Sequence, residues 1–236
     1  MRRLRSFTVM LALTALGALF IHSVAGPARA QGEGNNDNSR IQQGFAIAPV
    51  PLNLTGKNHA LVGLGSYLVN GAADCNGCHS AGPPTEFTSN GNPYQLPPVF
   101  SGTKQVNPNT YLGGGRNFGQ FPANGPGLGF AQIISRNLTP DKNGLPEGHT
   151  FQDFLTIMRT GQDFDNAHPT CTVGPNGQCV PFPFNGALLQ IMPWPNLQNM
   201  TDRDLLAIYT YLSAIPCIEG DPGVPPAPGA PQSRCH

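Results

Sequence analysis

Charged side chains are scarce in this 236-residue sequence: Asp, Glu, Lys and Arg together make up 11 %, whereas an average soluble domain has about a quarter. Glycine and proline are abundant instead, with 29 and 25 residues. No internal repeat is visible, and past the first 30 residues no stretch is long and apolar enough to span a membrane. Such a chain is expected to contain few long helices and many ordered turns.

The amino terminus has the pattern of an export signal. Three arginines within the first five residues precede the apolar run 7–21, and Ala28–Ala30 is an A-x-A cleavage site. We therefore predict a signal peptide over residues 1–30, cleavage after Ala30 and a periplasmic location. The apolar run is short for a membrane span, so its retention as an anchor is the less favoured alternative.

Removal of this segment makes the chain acidic. The segment carries four arginines and no acidic residue, so 9 of the 13 basic residues remain beside all 13 acidic ones. The net charge becomes about −4, which disfavours a nucleic-acid partner.

The most specific motif is the pentapeptide Cys75-Asn-Gly-Cys78-His79, a C-x-x-C-H sequence. Two thiols at this spacing can each add to a vinyl group of haem, and the histidine that follows is then held beneath the iron as its proximal ligand. We predict one covalent haem c, with Cys75 and Cys78 as thioethers and His79 on the iron. A zinc site would need a second ligand pair, which the sequence lacks. A thioredoxin-like pair would follow a buried strand, whereas the residues before Cys75 are typical of a helix.

Three helices are predicted around this motif. The first covers residues 59–73, and Gly63 and Gly65 in it permit close approach of another helix. The second begins after a Thr150 cap and ends at Gly161, and the third begins after a Thr201 cap and ends before Pro216. The predicted apolar faces are Leu61, Leu64 and Leu68 flanked by Val62 and Val69; Phe151, Phe154, Leu155 and Met158; and Leu205, Ile208, Tyr209 and Leu212.

These helices define one domain over residues 59–216. Residues 31–58 are predicted to be an N-terminal extension, disordered over about its first ten residues and then an extended strap over Phe45–Leu54. Residues 82–148 form a loop-rich insertion, in which interspersed aromatic residues indicate packed loops and Ile133-Ile134 a short extended element. Residues 217–236 form a Pro-rich tail.

A haem iron bound to one histidine needs a sixth ligand or keeps an open position. Met192 is the leading candidate, because Pro193 restricts it to extended geometry and Pro195 stiffens the following residues. Met200 precedes a helix cap, where a packing role is the simpler interpretation, and Met158 lies on an apolar helix face. The histidines left as alternatives are His59, His149, His168 and His236.

A helix leading into C-x-x-C-H, a middle helix, a Met-Pro loop and a closing helix together resemble class I (mono-haem) cytochrome c. The resemblance rests on Gly65–Leu68, Ala73–His79, Met192-Pro193 and Met200–Leu212, and it covers about residues 59–216. The implied fold is mainly α with long irregular loops around a covalent haem. In that family the first and last helices cross at small and aromatic residues, which implies contacts of Gly65 and Tyr67 with Ile208, Tyr209 and Leu212.

The segment Asn137–Asp141, followed by a helix that ends Arg159–Gly161, is similar to extended cytochromes that serve as haem subunits of periplasmic dehydrogenases. The expected function is that of an electron carrier between redox partner proteins, not of an enzyme, because Met/His ligation suits electron transfer. Two alternatives stay open: a haem enzyme or gas sensor with an open distal site, and an electron-transfer subunit of a periplasmic dehydrogenase.

Four further cysteines remain, an even number for an oxidising compartment, and three pairings are possible. Cys171 and Cys179 bracket a Gly-Pro-Asn-Gly turn that would bring them together. Cys217 and Cys235 would then pin the tail. We predict the disulfides Cys171–Cys179 and Cys217–Cys235, each contributing on the order of 2–3 kcal/mol.

Overall fold

The computed structural model describes residues 29–80, 83–100, 102–120, 132–164, 185, 187–219 and 234–236. Helices dominate these residues, as the sequence predicted. The elements are α1 (Arg29–Ile47), α2 (His59–Tyr67), a π-helical segment (Leu68–Ala72), α3 (Cys75–His79), α4 (Pro83–Glu86), β1 (Asn117–Gln120), β2 (Gln132–Ile134), α5 (Phe151–Thr160), α6 (Trp194–Leu197) and α7 (Asp202–Leu212).

The core is built where α2 crosses α7. A Cβ on Gly65 would lie 2.0 Å from the carbonyl oxygen of Ala207 and 2.7 Å from Cβ of Tyr211, so only glycine lets the two backbones approach this closely. Val62 and Leu64 are fully buried at the same crossing, which confirms the predicted apolar face of α2.

The partners of Gly65 on α7 differ from those that the resemblance implied. The atoms nearest to a Cβ on Gly65 belong to Ala207 and Tyr211. Tyr209 turns toward α5 instead, where its ring lies 5.4 Å from the ring of Phe151. The predicted apolar face of α7 is otherwise confirmed, because Leu205, Ile208 and Leu212 are buried, together with Ala207 and Tyr211.

A hydrogen-bonded network joins the helices inside this core. The Tyr111 hydroxyl lies 2.5 Å from Asn70 Oδ1 and 2.8 Å from the Tyr211 hydroxyl. Asn70 Nδ2 donates to the Ser66 carbonyl, and Ser66 Oγ donates to the Gly44 carbonyl of α1 at 2.7 Å. Burial raises the pKa of Tyr111 well above its usual range, and burial also raises the pKa of Tyr211.

Helix α1 corrects the prediction for the N-terminal extension. The sequence predicted disorder followed by a strap that starts at Phe45, whereas the described chain is helical from Arg29 to Ile47. The cause is tertiary packing: a Cβ on Gly44 would lie 1.8 Å from the Gly63 carbonyl oxygen, and one on Gly63 would lie 2.6 Å from the Phe45 ring. The extended strap therefore begins after Ile47.

The two helix caps that the sequence predicted, Thr150 and Thr201, are confirmed. Thr150 and Asp153 form a reciprocal capping box at α5, and Gly161 ends the helix with φ = 71°. Thr201 accepts from the Asp204 N–H at the start of α7. Met158 is buried in the core, in agreement with a packing role.

The insertion contains more regular structure than loops alone. Strands β1 and β2 form an antiparallel pair, so the extended element predicted at Ile133-Ile134 is confirmed. Phe87 and Tyr111 are buried, whereas Tyr94 is exposed. The predicted packing of loop aromatics therefore holds for two of these three residues.

The carboxy-terminal tail is attached to the domain by the predicted disulfide Cys217–Cys235. The predicted disulfide Cys171–Cys179 lies outside the described residues, and so does the signal segment except its last two residues. None of the described helices is long and apolar enough to cross a membrane.

Candidate haem site

The C-x-x-C-H motif forms its own single turn of helix, α3. The chain enters it through Asp74 in the left-handed conformation, with φ = 47°, and leaves it at Ser80 in an extended conformation. The Gly77 N–H donates to the Asp74 carbonyl at 3.1 Å, and the Arg116 guanidinium donates to the Gly77 carbonyl. The helical segments α2 and Leu68–Ala72 precede the motif, where a thioredoxin-like site would have a strand.

Neither thiol of the motif is in a disulfide. Cys75 is half-buried against the hydrophobic core, and Cys78 is exposed. Burial, with the nearby Asp74 carboxylate, raises the pKa of the Cys75 thiol to about 12. A dithiol that exchanges disulfides needs a lowered thiol pKa, so the environment of Cys75 is unfavourable for that chemistry.

His79 has the geometry of a neutral ligand. Its ring is buried, and Nδ1 lies 2.8 Å from the carbonyl oxygen of Arg136. Because a carbonyl only accepts, Nδ1 carries the proton and Nε2 keeps a free electron pair. Within the described part of the chain, Nε2 has no hydrogen bond of its own. Burial lowers the pKa of His79, which favours the neutral imidazole that a metal requires.

Residues 111–114 and 135–138 form a backbone cradle for the motif. The Leu112 N–H donates to Asn76 Oδ1 at 2.9 Å, and the Gly114 N–H donates to the His79 carbonyl at 2.6 Å. Gly114 has φ = 72°, and a Cβ there would lie 2.5 Å from the Arg136 carbonyl carbon. Glycine at this position therefore lets the peptide group after Arg136 sit against the histidine.

Two acidic side chains hold the Arg136 side chain. Its Nη2 lies 2.5 Å from Asp163 Oδ1, and its Nε lies 3.9 Å from Glu147 Oε1. The Asp163 side chain is 2 % exposed and that of Glu147 is 19 % exposed. The residue that supplies the carbonyl to His79 is thus anchored through its side chain as well.

Met192 is half-buried and packs against the same core as Cys75. The extended loop predicted around it is wrong in detail, because two tight turns occur instead. Met192 N–H donates to the Gln190 carbonyl, and Trp194 N–H donates to the Met192 carbonyl, both at 2.8 Å. The left-handed φ of 69° at Ile191 produces the first turn, and the short helix α6 starts directly after Pro193.

The Met192 loop is anchored by Trp194. A Cβ on Gly161 would lie 2.2 Å from the Trp194 ring, so this ring covers the end of α5. Trp194 Nε1 also donates to the Leu189 carbonyl at 3.3 Å. The loop that carries Met192 is therefore fixed on both sides of the methionine.

The other candidate ligands have ordinary structural contacts. The Met200 side chain packs against the core, and its carbonyl accepts from Arg159 at 2.7 Å. The His59 ring lies 4.3 Å from the Phe45 ring, the His149 ring lies 5.7 Å from the Phe164 ring, and His236 Nε2 lies 3.7 Å from Glu219 Oε1. His168 lies outside the described residues.

The donor set fits a covalently held haem. Two free thiols and an imidazole with an available Nε2 share one helical turn, and within the described residues no group of three or more His, Cys, Asp or Glu forms another metal site. Asn76 Nδ2, within the motif, and Ser80 Oγ, directly after it, are buried without a hydrogen-bond partner among those residues. A bound group with polar atoms at its edge would give these two atoms hydrogen-bond partners. Each buried polar atom without a partner costs the folded state about 1–3 kcal/mol.

Sequence reasoning missed most of the residues that support His79. Arg136, Gly114 and Asp163 lie far from the pentapeptide in the chain, outside the reach of a local motif. The run of three glycines at 113–115 was the available signal, because such a run indicates close backbone packing.

Compared with models of known protein families, with characterised proteins and with solved structures, the chain gave no match.

Proposed function

We propose that this chain is a periplasmic c-type cytochrome that carries single electrons between redox partner proteins and is not itself an enzyme. The observation that carries the proposal is the turn Cys75–His79, in which both thiols are free and the histidine donates from Nδ1 to a backbone carbonyl. This arrangement leaves Nε2 for iron and fixes the ring through the other nitrogen, as metal-binding histidines usually are.

In this proposal each residue has one role. Cys75 and Cys78 would hold the haem through thioethers, His79 Nε2 would bind the iron, and the Met192 sulfur would be the second protein ligand. The bound haem supplies reversible one-electron chemistry between ferric and ferrous iron. The protein sets the potential of that couple through the two ligands and the burial around them.

A second candidate is an electron-transfer subunit of a periplasmic dehydrogenase, and the insertion favours it. Tyr94 and Leu96 are both 82 % exposed, and Val99 is 47 % exposed, all within one short loop. Exposed apolar residues grouped in this way are typical of protein-binding surfaces. Purification of the complex from native membranes and soluble extract separates a stable subunit from a free carrier.

The proposal is tested by a redox-titrated absorption spectrum of the mature protein. We expect the bands of one c-type haem, a single one-electron transition and no change on adding carbon monoxide under native conditions. A spectrum that shifts with carbon monoxide would favour an open distal site and hence the haem enzyme or gas sensor. A mature protein without haem bands would contradict the proposal in all its forms.

A further inference from the structure

Asp163 lies where the end of α5 meets the segment that leads to Met192. Its N–H donates to the Ala187 carbonyl at 2.8 Å, and the Leu189 N–H donates to the Gly161 carbonyl at 2.7 Å. These bonds fix the backbone on both sides of Gln162, and Gln162 forms an isolated antiparallel β-bridge with Leu188. The position of Asp163 is thus set by backbone pairing.

The carboxylate of Asp163 acts on a residue in the cradle. It is almost fully buried and lies 2.5 Å from Arg136 Nη2. A buried, charge-assisted bond of this kind is short and directional, and removal of one partner leaves the other charge uncompensated. Asp163 therefore restrains Arg136 more tightly than the longer contact from Glu147 does.

The carbonyl of this same arginine accepts from His79 Nδ1. A residue held at its side chain by Asp163 and at its peptide group by Gly114 has little freedom to move its carbonyl away from the imidazole. The path from Asp163 to the histidine ring contains only one intervening residue.

We propose that Asp163 is a positioning residue for His79: through its ion pair with Arg136 it holds the carbonyl that orients the imidazole and strengthens its electron donation. The inference rests on the proposed function, because it takes His79 as an iron ligand. A strong bond from Nδ1–H makes the imidazole a better donor, which stabilises ferric iron and lowers the reduction potential. Loss of the ion pair should therefore raise the potential.

The test uses the haem-loaded protein and the substitution Asp163→Asn, with Glu147→Gln as its matched control. Both variants remove one negative charge beside Arg136, but only Asp163 makes the short contact. The main measurement is the exchange rate of the His79 Nδ1 proton with solvent, followed by proton NMR in the ferrous state. The reduction potential is measured in parallel.

We expect proton exchange in Asp163→Asn to be about tenfold faster and the potential to rise, since a hydrogen bond of ordinary strength is weakened. Glu147→Gln should leave the exchange rate unchanged and shift the potential less. If Asp163→Asn folds poorly, the double variant Arg136→Met with Asp163→Asn removes both charges of the buried ion pair and should show the same faster exchange.

A folded, haem-loaded Asp163→Asn protein with unchanged exchange would overturn the positioning role, and so would equal potential shifts in the two single variants. A wild-type protein without covalent haem would overturn the proposed function, and this is established before any variant is made.

Discussion

At the scale of single residues, the hydrogen bonds of His79 to the described part of the chain are made through Nδ1 and the backbone. Nδ1 donates to Arg136, and the His79 carbonyl accepts from Gly114. Burial lowers the pKa of His79 and so favours the neutral ring. In the proposed function, Nε2 therefore binds iron without any rearrangement of the ring.

The sixth ligand is tested by Met192→Ala. Ferric haem with methionine and histidine ligands has a weak near-infrared band from the sulfur–iron bond, and we expect this substitution to abolish it. The reduction potential should fall, because a thioether stabilises ferrous iron, and carbon monoxide should gain access to the iron. Absorption spectroscopy of the ferric and the reduced, carbon monoxide-treated protein measures both effects.

Met200→Ala is the matched control, because Met200 packs against the same core and Arg159 contacts only its carbonyl. It should leave the band intact and reduce the free energy of unfolding by about 1–2 kcal/mol. Loss of the band in Met200→Ala alone would transfer the ligand role to Met200. No effect in either variant would favour a histidine ligand or an open site.

At the scale of elements, the crossing of α2 and α7 positions the helical segment that leads into the C-x-x-C-H motif. Gly65 brings the two backbones together, and Leu68–Ala72 continues α2 as a π-helical segment that ends just before Asp74. A π-helical segment shifts the following residues around the helix axis, and such segments are frequent at functional sites. The direction in which the chain enters α3 depends on this junction.

The crossing is tested by Gly65→Ala. The new methyl group would lie 2.0 Å from the Ala207 carbonyl oxygen, which is backbone and cannot move alone. We expect a loss of about 1–3 kcal/mol in the free energy of unfolding, even though alanine has the higher helix propensity. Urea denaturation followed by circular dichroism gives this value.

Gly71→Ala is the control within the same continuous helical stretch, because its nearest contact would be Ile47 Cδ1 at 3.4 Å. Its stability should be unchanged or higher by up to about 1 kcal/mol. Equal destabilisation by the two substitutions would contradict the close crossing.

The buried tyrosine pair makes stability depend on alkaline pH. The pKa values of Tyr111 and Tyr211 are raised in the folded protein, so the unfolded chain loses these protons first as pH rises above about 10. The free energy of unfolding should therefore fall above pH 10, by up to about 1.4 kcal/mol per pH unit and tyrosine.

The double variant Tyr111→Phe with Tyr211→Phe tests the origin of this fall. It should be less stable at pH 8, because Asn70 loses hydrogen-bond partners, but its decline above pH 10 should be shallower. Urea denaturation at pH 8 to 11 measures both. Parallel declines in the two proteins would assign the effect to other groups, such as Tyr209, whose pKa is also raised.

The sequence predicted the elements that depend on contacts between neighbouring residues, and it missed those that depend on contacts between residues far apart in the chain. The caps Thr150 and Thr201 bond within one helical turn, so their residue types and spacing predicted α5 and α7 correctly. Helix α1 was missed because its stability comes from Gly44 packing on Gly63 in another helix. Haem binding by the pentapeptide stays a prediction, and no pattern in the sequence indicated the acceptor for His79, which lies 57 residues further along the chain.

At the scale of the whole molecule, the described residues of the tail are hydrogen-bonded to the segment that follows Arg136. Ile218 N–H donates to Thr139 Oγ1 at 3.0 Å, and its carbonyl accepts from Asn137 at 2.8 Å. Arg234 donates to the Thr139 carbonyl at 2.8 Å. The disulfide joins the two ends of the tail, and both ends contact this segment, whose first residues belong to the cradle.

Replacement of Cys217 and Cys235 by serine tests this closure. The bridge spans a sequence separation of 18 residues, and its loss should reduce the free energy of unfolding by about 2–3 kcal/mol through the entropy of the unfolded chain. Thermal and urea denaturation under oxidising conditions measure the change. Wild-type stability in this variant would show that the hydrogen bonds alone hold the tail.

The most direct test of the whole account is haem attachment in the double variant Cys75→Ala with Cys78→Ala. The mature wild-type protein should keep haem on a denaturing haem-stained gel and show the corresponding increase in intact mass, and the Cys217→Ser with Cys235→Ser variant should do the same. The Cys75 and Cys78 double variant should show neither the stain nor the added mass, and little folded protein. Haem that remains covalently attached in that variant, or is missing from the wild type, would contradict the central claim.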